Sequence, residues 1–222
     1  MASLAAAMPS GRIGRTAALA GGGLALALAI ASIAWVATYR WRDPAVETWV
    51  PLTEVSATVQ AAVVLAEDQH FCLHHGFDFG RIEASLAAAR AGRPLVGAST
   101  LSQQLARTLF LWSERSWVRK GLEAWFTVWL EALLPKARIL ELYLNVVDWG
   151  PRTRGLAAAV RRHLGPDASP GRLGARASAH LAVLLPSPAR FAEGLPPAVE
   201  VRRDHIEQAI PAFGPSAIAC LR

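Results

Sequence analysis

The sequence predicts a mainly α-helical domain behind one N-terminal membrane-spanning helix. Three observations carry this. An uncharged run of 24 residues, Thr16 to Tyr39, lies between Arg15 and Arg40. The remaining chain shows apolar residues at helical spacing and few alternating strand patterns. Its helical stretches are punctuated by Gly and Pro, as at Gly92-Arg93-Pro94, Pro135 and Gly150-Pro151.

At about 1.5 Å per residue the uncharged run reaches about 36 Å, enough to cross a hydrocarbon core of roughly 30 Å. It is rich in Ala, Leu and Ile and ends in Trp35 and Tyr39, with Trp41 just beyond; such aromatics suit a membrane interface. A cleaved signal peptide and a buried helix are the alternatives. The Ala-x-Ala triplet Ala27-Leu28-Ala29 lies inside the run, where cleavage would leave an apolar stub, so an uncleaved anchor over residues 17–39 is expected. Arg12 and Arg15 before the run nearly balance Arg40 and Arg42 after it, and charge counting does not orient the span. This leaves a tail at 1–16 and a domain at 44–222.

The chain has 222 residues and a formal charge of +6, with 21 Arg and two Lys, Lys120 and Lys136. At 53% hydrophobic and 18% charged it is not predominantly disordered. Removing residues 1–42 takes away four arginines and no acid, leaving 19 bases against 17 acids. That balance argues against a nucleic-acid partner. Cys72 and Cys220 form neither a zinc site nor a disulfide framework by count. They read as two unpaired small apolar side chains, with pairing outside the cytoplasm as the alternative.

Taken in order, Thr53 is expected to cap a helix running to about His70, with Val55, Val59, Ala62, Val63 and Ala66 on its apolar side. Further helices are expected over Ile82–Arg90, Ser99–Phe110, Trp117–Leu134, Lys136–Val147, Gly155–Leu164 and Arg176–Leu185.

Four segments hold the candidate chemistry. Glu67 follows the apolar stretch 61–66 near the expected end of its helix, where burial and the negative end of the helix dipole raise its proton affinity, as a general base requires. Gly76 permits a turn folding His74 and Asp78 back toward it. His70, His74 and His75 lack metal-ligand spacing and read as hydrogen-bonding groups, so no protein metal site is expected. In the second segment Ser99 is expected as a helix cap, and Ser99, Gln103 and Arg107 at i, i+4, i+8 share a polar face suited to sugar or phosphate oxygens. Arg119 and Glu123 are spaced for an i, i+4 ion pair. Lys136 to Gly150 is an amphipathic helix with a polar end.

Together these segments resemble the glycosyltransferase module of peptidoglycan synthases, family 51 of the glycosyltransferases. E-D-x-x-F-x-x-H-x-G-x-D falls on Glu67, Asp68, Phe71, His74, Gly76 and Asp78. G-x-S-T-x-x-Q-Q-L falls on Gly97, Ser99, Thr100, Gln103, Gln104 and Leu105, and R-K-x-x-E on Arg119, Lys120 and Glu123. K-x-x-I-L-E-x-Y-L-N falls on Lys136, Ile139, Leu140, Glu141, Tyr143, Leu144 and Asn145, and Leu185-Pro186-Ser187-Pro188 is similar to a late L-P-x-P turn. The likeness covers about residues 45–195. With no lysine three residues after a serine, the S-x-x-K of a transpeptidase is not met, so a monofunctional member is expected.

The resemblance implies a lysozyme-like transglycosylase fold and polymerisation of lipid II, a disaccharide-pentapeptide on a polyprenyl pyrophosphate. The acceptor's 4-hydroxyl attacks the anomeric carbon of the growing glycan chain, inverting it from α to β. Glu67 is implied as general base and Glu123 as second carboxylate. Arg107, Arg119 and Lys120 are implied to neutralise pyrophosphate. Asp68, Phe71, His74, Gly76, Ser99, Thr100, Gln103, Gln104 and Asn145 are implied to shape substrate binding. No cofactor is obligatory; a divalent cation, Mg²⁺ or Mn²⁺, is an optional addition at the pyrophosphate. Implied partners are lipid II, nascent glycan, membrane lipid and other cell-wall synthesis or division proteins. Trp112, Trp117, Trp125 and Trp129 are implied as an interfacial patch. The substrate's location implies a bacterial inner-membrane protein with a periplasmic domain.

The chain departs from the family pattern at Thr108, at His163-Leu164 where an aromatic pair is common, and at Ala177 after an Arg172–Arg176 stretch with a short insertion. A weakly active scaffold homologue and a lytic lysozyme-like enzyme are the competing readings. Retention of Glu67 and Glu123 opposes the first, and possession of the second and third motifs opposes the second.

Overall fold

A computed structural model describes residues 10–93, 97–191 and 194–221. Pro94 and most of the tail expected at 1–16 lie outside the described residues.

Helix α1, Ser10–Thr38, contains one stretch, Gly21–Thr38, long and apolar enough to cross a membrane. Leu24, Leu26, Leu28 and Ile30 are exposed, as lipid-facing side chains would be. The far end of α1 instead docks on the domain. Trp35 meets Phe110 and Phe126 edge-on at 5.0 and 5.9 Å, Tyr39 meets Phe110 at 5.6 Å, and Trp125 Nε1 donates to Ser32 Oγ at 3.1 Å. Arg138 Nε and Nη2 donate to the carbonyls of Tyr39 and Arg42, and Nη2 also pairs with Asp43 at 2.7 Å.

The centre of the domain is α2, Ala57–Glu67. Its cap is Ser56, whose Oγ accepts from Val59 N, rather than Thr53; the chain before it forms a 3-10 turn at Leu52–Glu54. Val59 and residues 61–65 are all buried, so α2 is wrapped by neighbours instead of presenting one apolar stripe. Helices α8, Ala175–Ala182, and α9, Pro197–Ala217, pack along it. A second group comprises α4, Leu101–Phe110, α5, Trp117–Leu133, and α6, Lys136–Val146. Helix α3, Phe79–Arg90, lies outside with only Ser85 buried. A two-stranded antiparallel ribbon pairs β1, Asp148–Gly150, with β2, Thr153–Arg154, and leads into α7, Leu156–Leu164.

Three further features differ from the sequence reading. Helix α9 was not anticipated, because Pro211 and Pro215 lie inside it and proline normally breaks a helix interior. It persists because it packs against α2 closely: a Cβ at Gly214 would stand 3.0 Å from Ala61 Cβ. Cys72 and Cys220 are not free but form a disulfide, with Cα atoms 5.4 Å apart across 148 residues. Finally, His74 and Asp78 do not fold back onto Glu67. His74 Nε2 bonds Asp68 Oδ1 at 2.9 Å, and Asp78 Oδ2 bonds His70 Nδ1 at 2.7 Å.

Candidate active site

Much of the motif chemistry goes into building the frame. Asp68 is fully buried; besides His74 it accepts from Leu101 N at 2.9 Å, tying the end of α2 to the start of α4. Thr100 and Gln103 form a reciprocal capping box: Thr100 Oγ1 accepts from Gln103 N at 3.2 Å, and Thr100 N donates to Gln103 Oε1 at 3.1 Å. Thr100 Oγ1 also donates to the Gly76 carbonyl at 2.7 Å. Gly76 has φ +89°, and a Cβ there would stand 2.7 Å from Thr127 Cγ2. Phe71 is fully buried with the Lys136 ammonium 4.3 Å above its ring, and Lys136 pairs with Glu131 at 2.8 Å. Asn145 is buried and bonds both the N–H and the carbonyl of Val50 at 2.9 Å.

The cap is therefore Thr100, one residue later than expected. Gln103 turns into the cap while Arg107 faces solvent, so the common polar face of Ser99, Gln103 and Arg107 does not form. Arg107 has no hydrogen-bond or ion-pair partner among the described residues, whereas Ser99 lines a cavity.

That cavity holds about 970 Å³ and lies between the end of α2, the approach to α4, and α9. Glu67, the last residue of α2, opens into it. Its side chain is 9% exposed. Oε2 accepts from Gln104 Nε2 at 3.0 Å, and Gln104 Oε1 in turn accepts from the buried Tyr143 hydroxyl at 2.9 Å. Oε1 is buried with no hydrogen-bond partner among the described residues; Arg202 Nη2 stands 3.6 Å away. Burial pushes the Glu67 carboxyl above its usual range, against the opposing pull of the Gln104 bond and the Arg202 and Arg81 charges. Arg81 also donates to the carbonyls of Glu67 at 2.8 Å and Gly97 at 3.1 Å.

Beyond Ser99 lies the second charged cluster. Lys120 Nζ is 3.5 Å from Ser99 Oγ and pairs with Glu123 Oε1, while Arg119 Nη1 donates to Glu123 Oε2 at 3.0 Å. Glu123 is 2% exposed, so its i, i+4 partner forms a buried pair rather than a surface one. Arg119 is also buried and Lys120 is half-exposed, which leaves Lys120 and Arg107 as the cations of the set open to an incoming anion.

A model of the family described as Transglycosylase matches residues 35–210. The chain belongs to the transglycosylase family. This transglycosylase is 46% identical over 172 residues to the biosynthetic peptidoglycan transglycosylase of Chromohalobacter salexigens, covering 77% of this chain and 73% of that one. The protein of the same name from Shewanella amazonensis is 51% identical over 155 residues, 70% of this chain and 62% of its own. That from Pseudomonas aeruginosa is 48% identical over 161 residues, 72% and 68% of the two chains.

Sequence reasoning about this transglycosylase missed Arg81 and Arg202 and gave Tyr143 no role. A faint signal existed for Arg202, an arginine one helical turn before the apolar residue Ile206. None existed for Arg81, whose contacts are to main-chain carbonyls.

Proposed function

We propose that this transglycosylase polymerises lipid II into β-1,4-linked glycan with loss of polyprenyl diphosphate, Glu67 acting as general base. The observation that carries the reading is the Glu67 carboxylate. Its Oε2 is held by Gln104, its Oε1 is buried with no hydrogen-bond partner among the described residues, and the side chain lines a cavity of about 970 Å³. A sugar hydroxyl seated in that cavity would donate to the Glu67 carboxylate, whose raised proton affinity suits it to accept that proton as the oxygen attacks the anomeric carbon. Lys120 and Arg107 are placed to meet the charge on the departing diphosphate, with Arg119 and Glu123 holding Lys120 in place.

Both Glu123 oxygens are bound, one by Arg119 and one by Lys120, so this carboxylate offers no free oxygen to a divalent ion.

We infer that the domain sits on the outer face of the bacterial inner membrane, a reading that the apolar helix α1 and the proposed lipid-linked substrate support. The exposed aromatics support contact with lipid there: Trp117 is 92% exposed, and Trp112 and Trp125 are partly so. Trp129 instead packs edge-on to Trp125 against the core.

The test is conversion of lipid II by purified full-length protein in detergent. Polymer is expected from the wild type, with a loss of roughly 10²–10⁴-fold on Glu67→Gln. Failure of the wild type to use lipid II would favour a scaffold, and cleavage of finished glycan a lytic enzyme.

A further inference from the structure

We propose that Arg202 is a positioning residue for Glu67, reaching from α9 to clamp the end of α2 and to hold the Glu67 carboxylate in place beside the cavity that both residues line. This rests on Glu67 being the base. The geometry has two parts. Arg202 Nη2 donates to the Ala66 carbonyl at 2.7 Å, one of the last-turn acceptors that a helix leaves unsatisfied. The same nitrogen stands 3.6 Å from Glu67 Oε1, too far for a hydrogen bond but close enough for strong charge attraction. The oxygen therefore has no hydrogen-bond partner among the described residues, while a neighbouring cation favours its charge and position.

The groups facing Glu67 come from every element around it. Asp68 follows it in the chain, Arg81 comes from α3, Arg202 from α9, and Tyr143 from α6 through Gln104. His70 and His205 line the same cavity. Asp68 pushes the carboxyl toward protonation, and the two arginines oppose it. Loss of Arg202 removes a cation, so Glu67 then holds its proton to higher pH.

Two readouts on the full-length protein test this. The first is the substrate-free titration of the Glu67 carboxyl by ¹³C NMR, assigned against Glu67→Gln. The second is kcat and KM on lipid II across pH. Arg202→Gln is expected to move the Glu67 midpoint and the acidic limb of kcat to higher pH. At neutral pH kcat should fall on the order of tenfold, with KM changed less. Arg202→Lys keeps the charge and should hold the midpoint near wild type. Arg176→Gln, which breaks surface pairs to Asp204 and Glu207, should move neither. An unmoved midpoint in folded Arg202→Gln overturns the proposal, as does a lysine variant displaced as far as the glutamine one. Should Glu67→Gln retain activity while the midpoint still follows Arg202, the base assignment falls and the positioning stands.

Discussion

Tyr143 acts as a fixed donor. It is fully buried, and burial followed by the nearby Glu67 charge holds its hydroxyl well above the ordinary tyrosine range. It therefore donates to Gln104 Oε1 throughout the working pH range, and this orients the amide so that Nε2 faces Glu67. Tyr143→Phe keeps the ring and removes the donor. We expect a loss of about 1 kcal/mol in chemical denaturation and a fall in kcat on the order of tenfold, from a Gln104 amide free to turn. At this scale the sequence was most legible where a residue's chemistry depends on its neighbours in the chain: the position of Glu67 at the end of an apolar helix indicated its raised proton affinity. It was least legible for Arg81 and Arg202, which donate to main-chain carbonyls 14 and 136 residues away.

Among elements, the junction of α2, α4 and the Gly76 turn decides whether the site forms. Thr100→Ala removes a helix cap and the bond to Gly76, and should cost about 1–2 kcal/mol, read as a lowered denaturation midpoint. Valine should not rescue it, since the methyl cannot accept from Gln103 N. Gly76→Ala places a side chain at φ +89° and drives it into Thr127; it should destabilise by about 2 kcal/mol or more, measured in the same way. The helices with strong apolar spacing, α4 to α7, were readable to within about two residues. Helix α9 was not, since its fit depends on α2 and its internal prolines mimic a break. The common face expected for Ser99, Gln103 and Arg107 failed for a related reason. A four-residue spacing does not reveal where a helix begins, and the capping box starts it after Ser99.

For the whole molecule, the Cys72–Cys220 disulfide joins the segment beside Glu67 to the chain just beyond α9, the helix that carries Arg202. Closing a loop of this length restricts the unfolded chain strongly. Cys72→Ser with Cys220→Ser should therefore lose roughly 2–5 kcal/mol in denaturation, and reduction of the wild type should give a similar loss. Cysteine counting could not reveal the bond, because two thiols so far apart in sequence become neighbours only after α9 has docked on α2. The apolar helix α1 and the residues just after it are also joined to the domain, through Trp35, Tyr39 and Arg138. In the proposed reaction Glu67, its proton affinity raised by burial, is the base. The pH dependence of kcat/KM on lipid II, compared between wild type and Glu67→Gln, tests it most directly. The wild-type rate should rise with pH through a midpoint above the ordinary glutamate range, and the Glu67→Gln rate should be low and flat over the same interval. A Glu67→Gln enzyme that keeps both the rate and the acidic limb would contradict it.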